Sequence, residues 1–216
     1  MVSARIVFDT LASHLDVQPD RIEWMCRYLG MPQGKRGPGG GPPDYGLNDV
    51  ARLVIALLVP EGARKASDAV QRVGAYFSMP LALSSEQFFG DEPITFEAAV
   101  EQVLARAPRF QDFRDSGVGP GGFHVIDSKP WNLIRDIASI SLVRSFTGVE
   151  SARVSLMSYA GTKMTLYFHS PYPIDDTDAK PLFRQWSEKR ELNGDTILAL
   201  GRLVRPPMAE QTAPET

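Results

Sequence analysis

The chain has a single cysteine, Cys26, in 216 residues, which excludes an intramolecular disulfide framework and any metal site built from several cysteines. Its three histidines, His14, His124 and His169, stand far apart, and none falls in an H-x-x-x-H or H-x-x-E-H arrangement. A G-x-S-x-G nucleophile elbow is missing. No apolar run approaches the roughly 20 residues of a membrane span. The longest, 53–59 and 137–143, are short and flanked by charge. The amino terminus lacks the basic-then-apolar order of a signal peptide. Positive charge is not in excess either: 23 Lys and Arg stand against 26 Asp and Glu. That excludes a polycationic surface while leaving room for a local basic patch. These absences predict a cytoplasmic protein with no catalytic centre, cofactor, metal or membrane partner.

Glycine and proline are concentrated rather than scarce. They crowd residues 34–45 (GKRGPGGGPPDY), where neither a helix nor an interior strand can persist. A second cluster closes residues 108–122, predicting a linker, and residues 206–216 read as a polar, frayed tail. The expected division is therefore 1–60, a helical connector over 61–107, the linker, an α+β domain over 123–205, and the tail.

Helical periodicity dominates the first half. Val7 and Leu11 share a face within 6–15, and Ile22, Cys26 and Leu29 share one within 19–29, where Pro19 suits a first turn. Asn48 is expected to cap a helix to Val59 carrying Val50, Leu53, Val54, Leu57 and Leu58 inward. Residues 63–77 continue helical, and Thr95 caps a helix over 96–107 with Phe96, Val100, Val103 and Leu104 inward. Residues 128–146 also read as a helix, from Leu133, Ile137 and Ile140. Then the period changes to two. Val154 and Leu156, and after them Met164, Leu166 and Phe168, alternate with polar residues around Ala160-Gly161-Thr162, predicting a β-hairpin. A short polar strand over 186–192 and a helix over 196–204 follow. The fold class is α+β.

Two candidate ion sites fail on chemistry. Gly30-Met31-Pro32-Gln33-Gly34-Lys35-Arg36 approaches a phosphate loop, but its spacing is one short, Arg36 replaces the magnesium-binding hydroxyl, and a helix precedes it. Asp175, Asp176 and Asp178 read as a solvated turn. Cys26, on an apolar stripe, reads as a core residue.

Residues 8–58 are more informative. Only Asp16-Val17-Gln18 joins the first two helices, which forces an abrupt corner of helix-turn-helix type. Phe8, Leu11, Ala12, Val17 and Ile22 stand at the positions of an I-x-x-L-A-x-x-x-x-V-x-x-x-x-I core, Trp24 lies near an expected aromatic pair, and Gly30-Met31-Pro32 looks like a G-L-x-P ending, one residue shorter. Tyr45 followed by Asp49-Val50-Ala51-Arg52-Leu53 is similar to Y-x-x-x-D-[LV]-x-R-L. In these features the segment resembles the winged helix-turn-helix of the MerR family. It departs at Leu15-Asp16, where T-G is usual, at Glu23, where the family has a phosphate-contacting arginine, and in its Gly/Pro-rich wing. No long coiled-coil helix or cysteine effector site follows Val59, which separates the chain from the family's metal sensors. The chain as a whole is loosely similar to uncharacterised proteins of proteobacterial phages and prophages.

The resemblance implies a transcriptional regulator that binds double-stranded DNA as a homodimer, with the α+β domain serving self-association, ligand sensing or a protein contact. On the 19–29 helix the outward residues include Arg21, Trp24, Arg27 and Tyr28. Gln18 and Arg21 are the expected base contacts, and Arg27, Lys35 and Arg36 the expected phosphate contacts, with Trp24 beside them. Residues 1–60 nonetheless hold six basic and six acidic residues. The alternative is an adaptor that docks a protein partner through Trp24 and Tyr28.

Overall fold

The computed structural model describes residues 2–34, 41–59, 63–78, 94–116, 134–144, 150–158, 163–170 and 188–204. Strand β1 (Val2–Ser3) leads into helix α1 (Ala4–Leu15), which turns into α2 (Pro19–Tyr28). Strand β2 (Asp44–Tyr45) returns antiparallel to β1, with Tyr45 opposite Val2, and α3 (Leu47–Leu58) follows. A 3-10 turn at Ala63–Lys65 opens α4 (Ala66–Gly74), then come β3 (Phe77–Ser78) and α5 (Phe96–Ser116). Strands β4 (Ile134–Arg144), β5 (Glu150–Ser158), β6 (Lys163–His169) and β7 (Glu188–Asn193) precede α6 (Gly194–Val204).

The larger sheet is antiparallel throughout, in the order β3-β6-β5-β4-β7. The alternation in β5 and β6 sets its register. Val154 lies opposite Leu166 and Ala152 opposite Phe168, so one face is apolar, while Ser155 lies opposite Thr165 on the other. Helices α5 and α6 pack against this sheet, and α3 packs against α5. The Phe96 and Phe168 rings meet at 5.3 Å, both fully buried, and each such side chain contributes roughly 2 kcal/mol. Buried apolar residues from Val2 to Val204 form one cluster, so the amino-terminal helices and the sheet share a core.

A polar clamp joins α4 to the sheet. The Glu150 carboxylate, buried at the start of β5, accepts the Tyr76 hydroxyl at 2.6 Å, the Arg144 Nε at 3.1 Å and an Arg72 guanidinium N–H. Burial and that carboxylate push the Tyr76 phenol well above its ordinary range, so it stays a donor.

Four expectations are corrected. Residues 134–144 are the interior strand β4, not helix. Leu133, Ile137 and Ile140 keep helical spacing, but Ile140 and Leu142 alternate with Ser139 and Ser141, and two neighbouring strands satisfy the backbone on both edges. The linker expected from Pro108 is helix as far as Ser116, since one proline removes one backbone bond and the residues after it suit a helix. The helix expected over 63–77 is a 3-10 turn, α4 and then strand residues at Phe77. Gly46, not Asn48, precedes α3: the Asp49 carboxylate accepts the Gly46 N–H at 2.9 Å, and Asn48 donates instead to Glu97 and Glu101 on α5. The hairpin turn expected at 160–162, the Asp175–Asp178 loop and most of 34–45 lie outside the described residues.

Candidate nucleic-acid interface

The corner between α1 and α2 is made by one residue in the left-handed region. Asp16 has φ 52°, a conformation an aspartate tolerates, and its N–H returns to the Ala12 carbonyl. Gln18 is extended (ψ 131°) and Pro19 takes the first helical position, where its missing N–H costs nothing. At the far end Gly30 (φ 67°) stops α2. Its N–H donates to Arg27 O at 3.2 Å and the Met31 N–H to Cys26 O at 3.1 Å, the paired bonds of a Schellman ending. The Arg52 guanidinium then reaches the Leu29 carbonyl at 3.4 Å, tying α2 to α3.

Ile22, Cys26 and Leu29 face the core, as their spacing requires. The Cys26 thiol is hydrogen-bonded to the Tyr45 side chain, and burial pushes it up from about 9 to about 11. A group raised on folding contributes stability that is complete below its unfolded value and disappears as pH rises through its folded value. The urea midpoint is therefore expected to fall between pH 9 and 11, by up to roughly 2 kcal/mol from this thiol. In Cys26→Ala the onset should move upward, to where the raised tyrosines Tyr45 and Tyr76 take over.

The outward face of α2 carries Gln18 at its start, then Arg21, Trp24 and Arg27, all exposed, with Trp24 at 55%. Trp24 and Tyr28 rings lie 6.0 Å apart, and the Arg27 guanidinium stands 6.0 Å from the Trp24 ring centroid. Arg27 also pairs with Glu23 one turn earlier, so part of its charge is offset. The arginines diverge. Arg27 borders a groove of about 910 Å³ between α1, α2 and residues 41–45, together with Arg5, Asp9 and Glu23. Arg21 borders a different hollow, on the side of β7. Trp24 lines the second of these with Arg21. Lys35 and Arg36 lie outside the described residues.

Two further cations belong here. Arg64 and Lys65, exposed on the 3-10 turn, line a hollow of about 420 Å³ with Trp24 and Tyr28. In the sequence they fall at the head of an expected helix, and only the turn that precedes α4 brings them beside α2. Arg21, Arg27, Arg64 and Lys65 thus surround an aromatic pair, against Asp20 and Glu23 on the same helix. Among the described residues no three His, Cys, Asp or Glu side chains gather as metal ligands, and no helix is long and apolar enough to cross a membrane. Compared with protein-family models, curated proteins and solved structures, the chain finds no match.

Proposed function

We propose that this chain is a duplex-DNA-binding regulator of bacterial or phage type, with α1 and α2 as a helix-turn-helix and residues 34–45 as its wing. The observation that carries the reading is the exposed cluster of Arg21, Arg27, Arg64 and Lys65 around Trp24 and Tyr28, directly after the α1–α2 corner. A short corner of this kind lets the second helix lie in a major groove. Gln18 and Arg21, on the first turn, address base edges. Arg27, Arg64 and Lys65 address phosphates, joined by Lys35 and Arg36 of the wing. A homodimer places two such helices on two half-sites and multiplies modest individual affinities.

Salt titration against a random-sequence duplex tests it. With these five phosphate contacts, raising salt from 50 to 200 mM is expected to weaken binding by roughly several hundredfold. Selection from a random duplex pool then reports the half-site spacing. Duplex affinity that is weak at both salts would overturn the reading in favour of an adaptor, which the 55% exposure of Trp24 also suits.

A further inference from the structure

A hollow of about 420 Å³ lies where the α1–α2 corner, the end of α3 and strand β7 come together. Leu15, Val17, Met25 and Leu57, all half-buried, form its apolar wall, and Trp24 stands at its edge. The charges around it are unequal in commitment. Arg190 donates to the Val59 carbonyl at 3.1 Å and so is fixed in the wall. Glu191 is paired with Lys189, which holds its carboxyl below the usual carboxylate range. Arg21 has no salt bridge or side-chain hydrogen bond among the described residues, and it too lines the hollow. An apolar wall of this size with one uncommitted guanidinium at its rim has the make-up of a small-molecule site.

We propose that this hollow binds a small apolar carboxylate, its charged end on Arg21 and its hydrocarbon against Leu15, Val17, Met25 and Leu57. A guanidinium grips a carboxylate through two parallel N–H bonds, which a neutral alcohol cannot accept in the same way. Each methylene taken from water adds about 0.8 kcal/mol, close to fourfold in affinity. The site does not depend on the DNA reading, and its test uses the chain alone.

Calorimetric titration with octanoate, hexanoate and 1-octanol tests it on the full chain. Octanoate is expected to bind saturably at one site, about fifteenfold more tightly than hexanoate and about tenfold more tightly than 1-octanol. Arg21→Gln, an exposed change that leaves the fold alone, should weaken octanoate about tenfold. Leu57→Asn should weaken it while leaving the requirement for the carboxylate. Absence of saturable octanoate binding, equal affinity for octanoate and 1-octanol, or unchanged affinity in Arg21→Gln would each overturn the proposal.

Discussion

With Arg21, Arg27, Arg64 and Lys65 all replaced by glutamine, duplex DNA is expected to bind about a thousandfold more weakly at low salt. Each cation that meets a phosphate or base edge contributes about 1 kcal/mol or more, and four of them reach that factor. The slope of log affinity against log salt should flatten by about one unit for each phosphate contact removed. All four side chains are exposed, so thermal unfolding should hardly move, and the loss can be read as binding. Glu23 supplies an internal control. It pairs with Arg27 and stands on the face offered to the duplex, so Glu23→Gln should strengthen binding several-fold by freeing Arg27 and removing a repulsion. An adaptor behaves oppositely: Trp24→Ala would dominate partner affinity, while the four cations would change mainly its salt dependence. The two readings of one surface therefore separate within a single set of variants.

What was legible beforehand follows from how far each feature depends on distant chain. The α2 stripe of Ile22, Cys26 and Leu29 is a local periodicity, and it correctly implied that Arg21, Trp24 and Arg27 face water. The strands of the 154–168 hairpin were likewise local, because apolar residues alternating with polar ones at a period of two admit little else. Residues 134–144 were not legible: Ile137 and Ile140, three apart, fit a helix, and only a register shift between Ile137 and Ser139 lets a strand bury both, a strand that won because β5 and β7 lie on its two edges. Arg64 and Lys65 illustrate the same limit for the site. Nothing near them in sequence suggests Trp24 as a neighbour, and only the packing of the 3-10 turn on α2 supplies it. Gly194 shows it for a backbone position, since in sequence it reads as one more turn residue after Asn193.

Gly194→Ala is expected to destabilise the chain by about 3 kcal/mol, read from the urea midpoint. Helix propensity alone points the other way, because alanine in place of glycine favours a helix by up to about 1 kcal/mol. Contact decides the sign. A Cβ at Gly194 would sit 1.9 Å from the Ile137 carbonyl oxygen and 3.1 Å from its carbon, both backbone atoms. That carbonyl cannot retreat freely, since Ile137 belongs to an interior strand and is paired with Leu156. The helix cannot rise freely either. Asn193 anchors its start by accepting the Thr196 N–H at 2.9 Å and hydroxyl at 2.8 Å, and Asn193 itself lies opposite Ser139 in the sheet. Asn193→Ala, which removes the cap without adding bulk, should cost only about 1 kcal/mol. A neutral or stabilising Gly194→Ala would show that α6 does not approach β4 this closely. Because α6 also packs on α1, the displaced helix should disturb amide signals of α1 as well as those of the sheet, linking the strand carbonyl to the helix pair that carries the proposed interface.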